Sequence, residues 1–132
     1  MQLSGHSGDV LCTKFSPCGD FAASAGSDKL VFVWDIFRNC QNLGTCKGHK
    51  NSILDLKWGS QSQSLITASA DRCIMTWDTT SLTKVRTFKG HDGNVNSVDL
   101  HEDQVVSASD DSTVKLWDQR LRQHTTSFNV GY

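Results

Sequence analysis

The chain has 132 residues, of which 37% are hydrophobic and 20% are charged, and this is the size and composition of one ordinary globular domain rather than of a disordered chain. Thirteen basic residues against fourteen acidic ones give a net charge of −1. This balance argues against direct binding of nucleic acid phosphates, because surfaces that bind phosphates concentrate positive charge.

The apolar residues are too scattered to form a membrane-spanning segment. The longest apolar run covers residues 30–34, whereas roughly 20 apolar residues are needed to cross a bilayer. The first residues have neither the basic stretch nor the apolar core of a secretory signal. We therefore expect an intracellular protein, unless further residues precede this sequence.

Taken in chain order, the sequence predicts twelve short strands and no helix. Segments rich in β-branched, aromatic and other apolar residues alternate with turn-forming residues, and no segment has the periodicity of an amphipathic helix. The segments form three groups of four: residues 10–15, 21–25, 30–34 and 43–47; then 53–58, 65–69, 74–77 and 84–89; then 95–100, 105–109, 114–117 and 125–128. Tight turns are predicted at residues 16–19, 60–63 and 102–103.

The third strand of each group has side chains that favour burial on both faces. Because side chains alternate along a strand, one face carries Val31 and Val33, Ile74 and Thr76, or Val114 and Leu116, and the other carries Trp34, Trp77 or Trp117. A sheet covered on both faces needs a neighbouring sheet on each side. The sequence therefore predicts stacked sheets.

Two dipeptides recur with a fixed period. Gly-His stands at residues 5–6, 48–49 and 90–91, which are 43 and 42 residues apart, and Trp-Asp closes each unit at residues 34–35, 77–78 and 117–118. An aspartate precedes each tryptophan by six residues, and a hydroxyl residue precedes it by ten. The sets are His6, Ser24, Asp28 and Trp34; His49, Thr67, Asp71 and Trp77; and His91, Ser107, Asp111 and Trp117.

The unit from Gly-His to Trp-Asp resembles the repeat of the WD40 family, and the resemblance covers nearly the whole chain. It implies an all-β fold, a β-propeller in which each repeat forms one four-stranded antiparallel blade, with repeats at about residues 5–47, 48–89 and 90–128. It also implies that each set of four forms a hydrogen-bonded chain from Trp through Ser or Thr and His to Asp. The donor and acceptor groups of these side chains are compatible with such a chain.

Three repeats are too few to close a ring. Propellers have about 4–8 blades, and the WD40 resemblance implies seven. Residues 1–132 are therefore expected to form a partial propeller, an open arc that belongs to a longer chain or that self-associates when isolated.

A combination of Ser, His and Asp raises the question of nucleophilic catalysis. A catalytic constellation occurs once in a protein, whereas this set recurs at the same phase in all three units, together with a tryptophan that hydrolysis does not require. We interpret the sets as structural and expect no enzymatic activity. The same recurrence argues against His6, His49 and His91 as metal ligands, and His101 and His124 have no companions at ligand spacing.

The cysteines give no sign of a metal site or a disulfide framework. Their number is odd and no C-x-x-C pair occurs among Cys12, Cys18, Cys40, Cys46 and Cys73. We expect reduced thiols in a reducing compartment. No phosphate-binding glycine loop occurs either, so no cofactor is expected.

Four segments resemble the first three repeats of splicing-associated WD40 proteins of the U5 small nuclear ribonucleoprotein. They are residues 3–10 (LSGHSGDV), 23–28 (ASAGSD), 107–120 (SASDDSTVKLWDQR) and 126–129 (TSFN). This resemblance implies a nuclear scaffold subunit of the pre-mRNA splicing machinery. Its partners would be proteins, with little or no direct contact to nucleic acid and none to a membrane.

The WD40 resemblance also implies a partner-binding rim at one end of the ring. The rim positions flank the first strand of each repeat and precede the aspartate of each set: Asp9, Leu11, Ser27, Ser52, Leu54, Ala70, Asn94, Asn96 and Asp110. Their mixed chemistry suits a protein surface. Because few residues usually dominate an interface, most of these positions are expected to be solvated loop residues.

Trp117, Asp118 and Arg120 match the W-D-x-R box by which some WD40 proteins attach to a cullin ubiquitin-ligase adaptor. This match gives an alternative function, that of a substrate receptor in which Arg120 makes bidentate contacts. The same box also occurs in WD40 proteins that have no such role.

Overall fold

The computed structural model describes residues 2–38, 40–120 and 124–129, the last of these as backbone only. It contains twelve strands: β1 (Val10–Phe15), β2 (Phe21–Gly26), β3 (Leu30–Asp35), β4 (Gln41–Lys47), β5 (Ile53–Trp58), β6 (Ser64–Ser69), β7 (Cys73–Asp78), β8 (Thr83–Lys89), β9 (Val95–His101), β10 (Gln104–Ser109), β11 (Thr113–Asp118) and β12 (His124–Asn129). The predicted all-β fold is confirmed, and each predicted strand lies within two residues of the observed bounds.

The strands form three four-stranded sheets, and in each sheet the strands pair antiparallel with their neighbours in chain order. The first sheet contains β1–β4, the second β5–β8 and the third β9–β12. The sheets stack face to face in an open arc, with β1 against β5 and β5 against β9, while the outer strands β4 and β8 have fewer contacts. This is the arrangement of propeller blades that the WD40 resemblance implied. Within the described residues, no helix is long and apolar enough to cross a bilayer.

Two apolar layers hold the sheets together. Between the first and second sheets, Val31 and Val33 pack against residues that include Leu56 and Trp77. Between the second and third sheets, Ile66 and Ile74 belong to a cluster whose third-sheet members are Val95, Val98, Val105 and Trp117. The tryptophan face of one sheet thus covers the valine and isoleucine face of the sheet before it. The hydrophobic effect of this burial drives the stacking.

Burial on both faces of the third strand is observed in the first two sheets but not in the third. Val31, Val33, Ile74 and Thr76 are buried, whereas Val114 and Leu116 are only half-buried. The reason is that no described sheet lies against the outer face of the third sheet.

The turns between the second and third strands all require a left-handed residue. Lys29, Arg72 and Ser112 have φ values of 70°, 72° and 70°. This conformation is unfavourable for side-chain-bearing residues and must be stabilised locally. The stabilising contact comes from the aspartate just before each of them, which accepts the backbone N–H two residues after itself, from Leu30, Cys73 and Thr113.

Candidate functional site

The second sheet shows how one repeated set is arranged. The indole Nε1 of Trp77 donates to Thr67 Oγ1 at 2.9 Å, Thr67 Oγ1 lies 2.6 Å from His49 Nε2, and His49 Nδ1 lies 2.8 Å from Asp71 Oδ2. The four residues come from β7, β6, the segment before β5 and the turn between β6 and β7. The hydrogen bonds thus tie the incoming segment to the middle of the sheet.

The first and third sheets repeat this geometry. In the first sheet the three links, Trp34 to Ser24, Ser24 to His6 and His6 to Asp28, measure 2.9, 2.7 and 2.7 Å. In the third sheet the links among Trp117, Ser107, His91 and Asp111 measure 2.8, 2.7 and 2.9 Å. The structure therefore brings together all twelve residues, four in each sheet.

The chemistry of the groups allows every link to pair a donor with an acceptor. An indole N–H can only donate, so the hydroxyl accepts from it and can donate its own proton to His Nε2. An imidazole that carries a proton on Nδ1 donates it to the carboxylate. Each hydroxyl oxygen lies within hydrogen-bonding distance of an imidazole nitrogen, and each imidazole is bonded on both sides. This arrangement orients the groups for mutual bonding rather than for attack on a substrate.

The aspartate is the most heavily bonded member. Burial alone would raise the pKa of Asp71, but hydrogen bonds from His49 and from the Lys50 and Cys73 amides outweigh it and lower the pKa to about 2. For Asp111, burial is likewise outweighed by bonds from Thr113, the Asp92 amide and His91, and the pKa lies well below its ordinary value. These carboxylates are ionised acceptors at neutral pH.

The three histidine side chains are closed to solvent. The exposed fractions of His6, His49 and His91 are 8%, 0% and 1%. Within the described residues there is no group of three or more His, Cys, Asp and Glu side chains placed to hold a metal ion. His101 lies at the exposed end of β9, and the side chain of His124 lies outside the described residues.

The predicted rim residues lie together at one end of each sheet. The backbone N–H groups of Ser27, Ala70 and Asp110 donate to the carbonyls of Asp9, Ser52 and Asn94 at 2.9, 2.9 and 3.0 Å. These bonds join the turn before the third strand to the entrance of the first strand. Leu11 is 47% exposed, Leu54 is half-buried, and Asn96 is exposed and donates to the Asp110 carboxylate. The rim is thus a surface strip of mixed polarity.

The W-D-x-R residues lie at the opposite ends of the strands. Trp117 belongs to the buried hydrogen-bonded set, whereas the Arg120 guanidinium is 70% exposed and binds both carboxylate oxygens of Asp118, at 2.9 and 2.6 Å. The bond from Arg120 lowers the pKa of Asp118 to about 2. The bidentate capacity of Arg120 is therefore directed to a residue of this chain.

Several contacts between sheets were not predicted from the sequence, and two of them are made by side chains of β5. The Asp55 carboxylate of β5 accepts the Val98 N–H of β9 at 3.0 Å, and the Trp58 indole donates to the Lys14 carbonyl of β1 at 3.0 Å. Each occurs once, so the repeat pattern gives no signal for it. A carboxylate in mid-strand, as at Asp55, was the one available clue.

Comparisons with known proteins identify the repeat. The sequence profile of the family described as WD domain, G-beta repeat matches residues 1–35, 40–78 and 82–118. The chain is 38% identical over 125 residues to pre-mRNA-splicing factor cwf17 of Schizosaccharomyces pombe, a match that covers 92% of this chain and 37% of that protein.

A second group of relatives carries the name U5 small nuclear ribonucleoprotein 40 kDa protein. The chain is 36% identical to the protein of that name from Dictyostelium discoideum and 38% identical to the one from Homo sapiens, in both cases over 100% of this chain and 38% of the relative. The resemblance inferred from short segments is confirmed. The chain spans less than two fifths of the length of these curated relatives.

Proposed function

The chain belongs to the WD40 family of WD-domain, G-beta repeats, and on that basis we propose that it is a non-catalytic scaffold subunit that holds proteins together in the U5 small nuclear ribonucleoprotein during pre-mRNA splicing. The observation that carries the proposal is the similarity, along the full chain, to proteins named for U5 and for splicing. A splicing role places the protein in the nucleus.

The geometry supports a scaffold rather than an enzyme. The residues that could carry out hydrolysis, the three sets of hydroxyl, imidazole and carboxylate, are bonded to one another and to an indole in each sheet. In the second and third sheets the histidines and hydroxyl residues are also buried. Binding is left to the exposed residues at the ends of the strands.

We further propose that the rim is the binding surface and that the partners are proteins of the splicing machinery, with the largest U5 protein as the principal one. Leu11 and Leu54 occupy the same position in successive sheets, one exposed and one half-buried, two residues after the polar rim residues Asp9 and Ser52. Apolar contacts bordered by polar groups are the usual composition of a protein interface.

The three sheets form part of a larger ring in this proposal, with one repeat in each of residues 5–47, 48–89 and 90–128. Seven repeats of this length amount to about 300 residues, and the relatives have more than twice the length of this chain. In isolation the chain would self-associate through its open sheet faces.

The alternative, a substrate receptor of a cullin ubiquitin ligase, is not favoured. The relatives are named for pre-mRNA splicing and for the U5 small nuclear ribonucleoprotein, and Arg120 is paired with Asp118. Affinity purification of the tagged chain from cells tests both proposals at once. Recovery of U5 proteins supports the splicing scaffold, and recovery of a cullin adaptor without U5 proteins overturns it.

The rim is tested by charge substitution at its apolar positions. We expect the double variant Leu11→Asp with Leu54→Asp to lose at least tenfold in the recovery of U5 proteins, because apolar anchors dominate interface energies. The matched control is Leu43→Asp, at an exposed leucine of the outer strand β4, which should bind as the unmodified chain does. Equal recovery with all three proteins would remove the rim from the proposal.

A further inference from the structure

A cavity of about 490 Å³ lies beside the second sheet and is bordered by four positively charged side chains. Lys50 follows the histidine of the second set, Arg72 is in the turn before β7, and Lys84 and Lys89 are on β8. All four are exposed. We call these four residues with the space between them the basic cavity. The chain has only thirteen basic residues and a net charge of −1, so four cations around one cavity are a local concentration of charge.

The structure provides little negative charge to balance the four cations. Among the described residues, the ion pairs are those of the three histidines and of Arg120, and none includes a member of the basic cavity. One acidic residue, Asp71, also lines the cavity. Its carboxylate already accepts bonds from His49 Nδ1 and from the Lys50 and Cys73 amides. The cavity therefore has a net positive charge at neutral pH.

The repeat itself does not require these charges. The position of Lys50 is occupied by Ser7 in the first repeat and by Asp92 in the third, and that of Arg72 by Lys29 and Ser112. The same turn geometry forms with each of the residues at the Arg72 position. The first repeat has lysine at two of the four positions, Lys29 and Lys47. The full set of four cations occurs only in the second repeat, and fold stability gives no reason for their grouping, because like charges placed together repel one another.

We propose that the basic cavity binds an acidic segment of a partner protein, one with several aspartate or glutamate side chains. Arg72 can bind a carboxylate with two parallel hydrogen bonds, and the three lysines supply further charge. The cavity reaches the rim end of the sheet at Lys50 and Arg72, which are within two residues of the rim residues Ser52 and Ala70. From there it extends along β8 to Lys84, which lies opposite Trp77. The inference rests on the proposed protein-binding function and adds the chemistry of the partner.

A protein segment is favoured over RNA by what lines the cavity. Surfaces that bind single-stranded nucleic acid add aromatic side chains on which bases stack, and no Trp, Tyr or Phe of the described residues lines this cavity. The charge is also confined to one site instead of following a long groove. A short acidic peptide suits a compact cluster better than a nucleic acid strand does.

The test is a direct binding measurement with the 132-residue chain. A fluorescent peptide of six glutamates is titrated by fluorescence anisotropy at about 50 and about 200 mM NaCl, against a peptide of six glutamines and an oligouridylate RNA of equal charge. We expect the glutamate peptide alone to bind measurably, and to bind more weakly at the higher salt. Binding of the glutamine peptide or of the RNA with equal affinity would overturn the proposal.

Variants locate the site. The double variant Arg72→Gln with Lys89→Gln should weaken binding of the glutamate peptide about tenfold, as expected for the loss of two exposed charge contacts. Its matched control is Lys29→Gln with Lys47→Gln, which removes the equivalent two charges from the first sheet and should change affinity less than about twofold. An equal loss of affinity in the two double variants would show that the peptide is attracted by overall charge and that the basic cavity is not its binding site. The rim variants test the proposed function separately, because they leave these four side chains in place.

Discussion

The second sheet and the first follow the same sequence pattern but differ in burial. At the start of the first strand, Ile53 in the second sheet is 0% exposed, whereas Val10 at the same position of the first sheet is 49% exposed. At the end of that strand, Trp58 is partly covered, whereas Phe15 is 69% exposed. The second sheet has a neighbour on each face and the first has one neighbour.

This comparison separates two kinds of information in a repeat. The alternation of apolar residues predicts which face of the sheet a side chain occupies. It also indicates that this face favours contact with another sheet. Whether the contact exists depends on the neighbouring repeat. Equivalent substitutions in the two sheets should therefore have unequal effects on stability.

The largest difference is expected at the start of the first strand. Replacing the buried Ile53 by Ala should lower the free energy of unfolding by about 2–5 kcal/mol, because a cavity is left in the layer between sheets. Val10→Ala, at the half-exposed equivalent position, should cost less than about 1 kcal/mol. Urea denaturation of both variants gives the comparison. Similar losses at the two sites would mean that the face of the first sheet is covered.

Removing the hydroxyl group of a hydrogen-bonded set should also destabilise the second sheet more than the first, but by a smaller margin. Thr67→Val leaves the Trp77 indole N–H and one nitrogen of His49 without their hydrogen-bond partner. Each buried polar group without a partner costs roughly 1–3 kcal/mol. Ser24→Ala removes the equivalent hydroxyl next to the open cavity that Ser24 and Trp34 line, where water can replace it, so it should cost about 1 kcal/mol. Thermal unfolding of the two variants measures this. A larger loss for Ser24→Ala would contradict the argument.

The stability that Asp71 contributes should depend on pH. The pKa of Asp71 is lowered from 3.8 to about 2 in the folded chain, so its ionised form stabilises the fold fully above pH about 4, and this contribution is lost as the pH falls toward about 2. The difference in unfolding free energy between the unmodified chain and Asp71→Asn should shrink by roughly 2 kcal/mol over that range. Urea denaturation of the two proteins between pH about 5 and about 2 measures this difference, and a difference that stays constant over the range would contradict the prediction.

The smallest effect on folding is expected at the open face itself. Phe15→Lys should change the free energy of unfolding by less than about 0.5 kcal/mol, yet it should reduce self-association in sedimentation velocity, because a charge on an apolar face disfavours its burial. Val85→Lys, at an exposed residue of the outer strand β8, is the control. An unmodified chain that sediments as a 14.6 kDa monomer and unfolds cooperatively would refute self-association through the open faces.

The sequence predicted the strands and the polar partners well because both are repeated. Three copies of the spacing from His through the hydroxyl and Asp to Trp leave little ambiguity about which residues meet. Features that occur once could not be predicted in the same way. The bond from Val98 to Asp55 and the convergence of Lys84 and Lys89 with Arg72 depend on how strands and turns meet in space, and a linear period does not contain that information.

The hydrogen-bonded sets have a consequence for how such a chain grows by gene duplication. Every link from tryptophan to aspartate lies within a single unit, so a copied segment of about 43 residues carries its complete polar network with it. The apolar clusters, by contrast, form between neighbouring units, and a sheet with the same apolar pattern can pack against any of them. Duplication therefore adds a sheet in which each buried polar group of the set keeps its hydrogen-bond partner. Later substitutions can then change the exposed residues at the ends of the strands.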